Sequence, residues 1–251
     1  MKSFIIFLLI IFSVSNSYGI DTKAEQAIVI DYNTNEVLFE KNADQLMPPA
    51  SMTKILTIYA AFDRLKKTNL SIDDKCIVSA KAYKMGGSRT FLEIDDEVQI
   101  NDLLKGIIVQ SGNDASIALA ECLAGTESDF ATLMNVYANK LNMKNSNFVN
   151  SSGWPDKNHY STVRDLALLS NSLIKDFNEL YEYFKLNEFT YNDIKQPNRN
   201  KLLTQSRGAD GLKTGYTKKS GWGIAGSAII DNRRVTVVIN GTNSSRSRLN
   251  E

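Results

Sequence analysis

The chain has 251 residues, 43% of them apolar and 23% charged, which is the profile of a globular protein and not of a disordered one. Lys and Arg total 29 against 28 Asp and Glu; the net charge of +1 argues against a protein built to hold the nucleic-acid backbone. One His and two Cys are too few for a four-ligand structural zinc site, and a Ser-His-Asp triad would hang on His159 alone.

The chain begins with Lys2 and an apolar run over residues 4–14, broken only by Ser13, followed by small residues at Ser17 and Gly19. Residues 1–19 are therefore expected to be a secretory signal. The run falls well short of the ~20 residues that span a bilayer. Cleavage would leave an exported protein, periplasmic or in the cell envelope, with no stable membrane anchor. Export would place Cys76 and Cys122 in an oxidising compartment, where a bridge contributes about 3–4 kcal/mol on the loop-entropy model. Cys122 falls in an apolar helical stretch, so two buried thiols is the simpler expectation.

Residues 27–31 and 36–40 flank Tyr32-Asn33-Thr34-Asn35 and read as a hairpin. Pro48 and Pro49 end that extended stretch. Ile55, Ile58, Phe62 and Leu65 recur at helical spacing, so residues 51–66 should form an amphipathic helix. Two helices, 102–109 and 114–124, break at Ser111-Gly112. A third, 129–141, starts at a Ser128 cap, and Thr162 caps a fourth over 163–174. Residues 223–230 and 233–240, joined by Asp231-Asn232, return to strand. Strands from both ends with helices between them give an α+β class: one antiparallel sheet closed by the termini, with a helical insertion. Residues 20–251 read as one catalytic unit.

Two tempting motifs fail on context. Gly221-Trp222-Gly223-Ile224-Ala225-Gly226 spells G-x-G-x-x-G, but it runs on as strand, whereas a dinucleotide site needs those glycines before a helix. His159 precedes a helix cap, where a structural role is favoured.

Three short motifs remain. Ser51-Met52-Thr53-Lys54 is S-x-x-K, and residues three apart on a helix are neighbours, so the Lys54 amine can reach the Ser51 hydroxyl. Serine needs a base, and Lys54 can serve only if its pKa falls from about 10.4 towards 7. Burial can supply that, with Lys213 as a nearby second cation. Ser111-Gly112-Asn113 sits at a helix break, where a hydroxyl and a carboxamide can pass a proton and hold an amide; the bland alternative is a helix cap. Lys213-Thr214-Gly215 enters a C-terminal strand, where a cation and a hydroxyl can bind a carboxylate and glycine leaves room for an extended substrate.

In this order and spacing the three motifs resemble those of the penicillin-recognising serine enzymes, most of all the D-alanyl-D-alanine carboxypeptidases among the low-molecular-mass penicillin-binding proteins. Residues 103–121, Phe148-Val149-Asn150-Ser151-Ser152-Gly153-Trp154-Pro155, residues 159–162 and residues 210–217 carry the likeness further. The resemblance implies a β-lactamase/transpeptidase-like fold, with the sheet flanked by helices and an all-helical subdomain. It implies Ser51 as nucleophile, Lys54 as base and Ser111 as proton donor to the leaving D-alanine. Asn113 would hold the peptide, Lys213 and Thr214 the terminal carboxylate, and Gly215 the strand edge. Backbone N–H groups of Ser51 and Tyr216 would form the oxyanion hole, and Arg248 would support the carboxylate pocket. The implied partners are the peptidoglycan pentapeptide and β-lactam inhibitors, with no metal or organic cofactor and no nucleic acid.

Tyr216 stands where some members carry His, which the backbone role tolerates. Many members continue into a longer final helix, a small β-rich domain and an amphipathic anchor. Here the helix expected near Ser244 has about two turns before Glu251, so its truncation, and no second domain, are expected. The rival activities are a D,D-endopeptidase and, further off, a serine β-lactamase, for which Glu188 to Asn192 offers only a poorly placed E-x-x-x-N. A catalytically silent peptidoglycan-binding protein would have no use for three intact motifs.

Overall fold

A computed structural model describes residues 21–251, so the expected export signal lies outside the described residues. In chain order the elements are β1 (Gln26–Asp31), β2 (Val37–Lys41), α1 (Lys54–Lys67), β3 (Lys75–Ile77), α2 (Ala80–Lys84), β4 (Glu97–Gln99), α3 (Ile100–Lys105), α4 (Asn113–Ala124) and α5 (Glu127–Lys140). There follow α6 (Val163–Asp176), β5 (Glu188–Tyr191), β6 (Ile194–Pro197), α7 (Leu202–Gln205), β7 (Ala209–Thr217), β8 (Gly221–Ile230), β9 (Arg233–Thr242) and α8 (Ser245–Asn250).

Five strands make one antiparallel sheet in the order β2-β1-β9-β8-β7, so the two ends of the chain do meet in a single sheet. The first hairpin closes because the Asp31 carboxylate accepts the backbone N–H groups of Asn33 and Thr34, and Asn35 takes a positive φ of 58°. The G-x-G-x-x-G run lies in β8, paired on both sides, as its strand-like continuation predicts.

Helix α6 packs on one face of the sheet, against β1 and β9. Helix α1 lies behind it and is surrounded by α4, α5 and α6. Every residue from Lys54 to Asp63 is buried, which makes α1 a core helix and not the half-exposed helix its spacing predicts. The main core joins this layer to the helical region, while Ala24, Ala27, Ile224 and Ile239 form a smaller cluster on the other face. Helix α8, opened by the Ser244 hydroxyl accepting from Ser247 N–H, packs against β8 and β9.

Three local expectations change. Ser51 is not in the α-helix but in a 3-10 turn, Ala50–Thr53, that leads into it. Helix α5 starts two residues early, with Thr126 in place of Ser128 as the cap, because the Thr126 hydroxyl reaches the Asp129 N–H. Cys76 and Cys122 are bonded, with Cα atoms 5.4 Å apart. Cys76 is buried on β3, but Cys122 is on the exposed side of α4, where it meets β3 of the small two-stranded β3–β4 sheet. That side was invisible in a stretch whose neighbours are almost all apolar.

Candidate active site

Pro48 and Pro49 lead into Ala50, which takes φ 49° and sets the 3-10 turn that presents Ser51, partly exposed, at the head of α1. Lys54 starts α1 and has no exposed surface. Its amine lies 3.2 Å from Ser51 Oγ, 2.8 Å from Asn113 Oδ1 and 2.6 Å from the Ser152 carbonyl. A neutral amine has two N–H groups and one lone pair. The two carbonyl oxygens engage the N–H groups, which leaves the lone pair for the Ser51 hydroxyl. Burial, the largest influence, pushes the Lys54 pKa down; Asp114 and Glu127 pull it back up, Arg199 lowers it further, and it settles at about 7. Arg199 is thus a supporting cation beside Lys213, whose repulsion from Lys54 acts on both amines. Lys213 is itself driven well below its ordinary value, first by burial and then by Lys54, Arg199 and Arg248, so it presents less positive charge to Lys54.

The second motif follows a π-helical turn, Gly106–Gln110, that ends α3's run and turns Ser111 into the left-handed region at φ 67°. The Ser111 Oγ is buried and has no hydrogen-bond partner among the described residues. Asn113 does not cap α4, whose N-cap is Gly112 with no side-chain bond. Its carboxamide instead bridges the Lys54 amine and the Gly86 carbonyl, 2.8 Å away. Asp114, fully buried, accepts from the backbone N–H groups of Thr90, Phe91 and Leu92 and pins the loop that carries Ser88 to the cleft.

The third motif is on β7, the sheet edge beside the Ser51 turn. A Cβ on Gly215 would stand 3.0 Å from the Pro49 carbonyl, so only glycine allows strand and turn to meet this closely. Asp210 anchors the start of the strand: Arg234 donates to both its carboxylate oxygens at 2.9 and 2.7 Å, and Tyr181 donates to one of them. Lys213 is 2% exposed, and among the described residues its amine has only a long contact, 3.4 Å, to the Thr214 carbonyl. Tyr216 is half exposed and stacks on Trp222 at 4.2 Å, and Arg248 lies over the same indole at 5.4 Å. Burial lowers the Arg248 pKa to about 10.

Ser51, Ser111, Thr214, Gly215, Tyr216 and Arg248 line one cleft of about 360 Å³, with Lys54, Asn113 and Lys213 buried beside it. The nine residues given catalytic or substrate-binding roles from the sequence are thus in or against this cleft. Ser88, Arg199, Lys201, Trp222 and Ser245 also line it and were missed. Arg199 and Lys201 lie in a loop with no periodic pattern, and only their basic character could have flagged them. His159 is structural: its Nδ1 accepts from Val149 N–H, so Nε2 carries the hydrogen towards Thr53 Oγ1, 2.8 Å away. Burial holds its pKa down at about 4. Among the described residues no group of three or more His, Cys, Asp or Glu could hold a metal ion.

The comparisons agree with this geometry. The chain is 42% identical to the D-alanyl-D-alanine carboxypeptidase DacC of Escherichia coli over 231 residues, which is 89% of this chain and 58% of that protein. It therefore spans well under two thirds of that relative's length. The structure of the D-alanyl-D-alanine carboxypeptidase DacD from Francisella tularensis superimposes with a TM-score of 0.89 at 32% identity, covering 96% of this chain and 70% of that one. Penicillin-binding protein D2 from Listeria monocytogenes, solved with ampicillin bound, gives 0.84 at 30% identity, covering 93% and 96%. The D-alanyl-D-alanine endopeptidase of Escherichia coli is more distant, at 28% identity over 85% of this chain and 69% of its own length. The three-motif cleft thus sits on the fold of the penicillin-binding proteins, and a family model described as D-alanyl-D-alanine carboxypeptidase matches residues 12–244, so the chain belongs to that family of serine peptidases.

Proposed function

We propose that this chain is the catalytic unit of an exported serine D,D-carboxypeptidase that removes the terminal D-alanine from peptidoglycan stem peptides. The observation that carries the proposal is the buried Lys54 amine, held by two carbonyl oxygens with Ser51 Oγ at its remaining position. Neutral Lys54 takes the Ser51 proton as Oγ attacks the carbonyl carbon between the two D-alanines. The backbone N–H groups of Ser51 and Tyr216 receive the oxyanion. Ser111 delivers a proton to the leaving amine and regains one from the Lys54 ammonium, so D-alanine departs and Lys54 is neutral again. Lys54 then takes a proton from the water that attacks the acyl-enzyme and returns it to Ser51 Oγ as the acyl group leaves. Asn113 holds the peptide while Thr214, Lys213 and Arg248 take the terminal carboxylate. An arriving carboxylate favours the ammonium form of Lys213 and supplies the partner its buried amine lacks. β-Lactams mimic the dipeptide and leave an acyl group that departs slowly; the relative solved with ampicillin bound supports β-lactam recognition by this cleft. No described helix is long and apolar enough to cross a membrane.

Incubation with a penicillin should add one drug mass, on the peptide containing Ser51, and Ser51→Ala should abolish the addition. A diacyl tripeptide ending in D-Ala-D-Ala should release D-alanine. Labelling of any other residue, or an unchanged label in Ser51→Ala, overturns the assignment. Cleavage confined to cross-linked peptides would make the enzyme an endopeptidase instead.

A further inference from the structure

The Ser152 carbonyl is a backbone group in a loop, yet it makes the shortest contact to the Lys54 amine. Something has to hold it there. Asn150 Oδ1 gathers the N–H groups of Gly153 and Trp154 at 2.8 and 3.0 Å, and Thr57 Oγ1 donates to the Ser151 carbonyl at 2.6 Å. The remaining clamp is a carboxylate. Glu127, the first residue of α5 and 7% exposed, accepts from both Ser151 N–H and Ser151 Oγ through one oxygen, at 3.0 and 2.8 Å. Its other oxygen pairs with Lys81 on α2 at 2.7 Å.

We propose that Glu127 is a positioning residue for the general base: its carboxylate, paired with Lys81, fixes the Ser151–Ser152 turn that presents the Ser152 carbonyl to the Lys54 amine. The inference rests on the carboxypeptidase reading for its purpose but not for its test. Glu127 acts in two ways. Mechanically, it holds an acceptor of the base in place. Electrically, it puts a negative charge behind that acceptor, which favours the ammonium form of Lys54. Burial works to raise the Glu127 pKa, but the bonds from Lys81 and Ser151 outweigh it, and the carboxyl stays below its ordinary value and ionised at neutral pH. Lys81, largely exposed on its side of the pair, offsets part of that charge. The other charged or titratable groups around Lys54 are Asp114 from α4, Arg199 from the loop after β6, Lys213 from β7 and His159. The two substitutions below leave all of these in place.

The two ends of the pair should therefore move the base in opposite directions. Glu127→Gln keeps an oxygen for Ser151 and removes the charge. Lys81→Met removes the compensating cation from an exposed site that does not threaten folding. The readout is the Lys54 titration midpoint, followed by carbon NMR of protein labelled at lysine Cε and assigned by difference with Lys54→Ala. Glu127→Gln should lower the midpoint by about 0.5–1 pH unit or more, and Lys81→Met should raise it by a similar or smaller amount, as expected for charges about 10 Å apart in a medium of effective dielectric about 20. The rising limb of penicillin acylation against pH should shift in parallel. An unmoved midpoint in Glu127→Gln, or shifts of the same sign in both variants, overturns the proposal and reduces Glu127 to an ordinary structural residue. Absence of acylation in the wild type would instead refute the proposed function, and the NMR midpoints would still decide the role of Glu127.

Discussion

Lys54→Met tests how much stability the buried Lys54 amine, the proposed base, costs. In the unfolded chain Lys54 holds its proton up to pH 10.5; in the fold the midpoint drops to about 7. Above 10.5 both states are neutral and the group costs nothing. Between 10.5 and 7 only the unfolded state binds the proton, so stability falls as pH falls. Below 7 the full penalty applies, 3.5 units at about 1.4 kcal/mol each, or roughly 5 kcal/mol. Methionine removes this penalty but leaves Asn113 Oδ1 and the Ser152 carbonyl without their donor, at about 1–3 kcal/mol each. The two effects nearly cancel at neutral pH, so a single melting temperature decides little. The pH dependence does decide. Lys213 is present in both proteins, but losing its repulsion from Lys54 eases its own penalty in the variant and adds to the difference, so the stability gap between wild type and Lys54→Met should change in favour of wild type by at least about 3.5 kcal/mol from pH 7 to pH 10. Urea denaturation at a series of pH values measures this. Parallel curves would show that Lys54 keeps an ordinary pKa in the fold, and the base assignment would lose its physical ground.

Penicillin acylation should rise with pH through a midpoint near 7, where Lys54 becomes neutral, and stopped-flow rates that are flat between pH 5 and 9 would contradict this. Gly153→Ala should cut acylation at least about tenfold and destabilise the protein by about 2 kcal/mol or more: the site has φ +79°, and a Cβ would fall 1.9 Å from the Ala50 carbonyl, in the turn that carries Ser51. Replacing Cys76 and Cys122 together by Ser frees a loop of 46 residues and should lower stability by about 4 kcal/mol, read by calorimetry of oxidised wild type against variant. Because the bridge lies outside the cleft, penicillin labelling of the folded variant should persist.

The sheet and the main helices were legible because each rests on local signals, alternation, helical spacing or a cap, and the motif residues were legible because three individually weak motifs occur together in one order and spacing. The triplets also converge in space, which sequence order and the resemblance anticipated. What escaped depends on contacts between distant parts of the chain. Nothing near Cys122 says that its side of α4 faces β3. Nothing near Glu127 says that it holds Ser151. Arg199 reaches the cleft from a loop whose course is fixed by Asn198 and Asn200 capping their own backbone. The burial of Lys54 was inferred from the chemistry it must do, but the Ser152 carbonyl that meets it was not, because a main-chain acceptor leaves no residue-type signature.

The sheet order leaves two open edges, and exposed backbone edges invite other chains to pair and aggregate. At β2 the defence is ordinary: Glu40 and Lys41 on the strand itself, and an irregular register with β1 between Val29 and Ile30. At β7 the guard is the Ser51 turn, packed against Gly215 closely enough that a long flat strand has no room to dock. What is left open is a short slot, about 360 Å³, rimmed by Tyr216 and closed off by Arg248. The turn that carries Ser51 therefore also shortens the exposed ladder of β7 and leaves less of it for a strand of another chain to pair with.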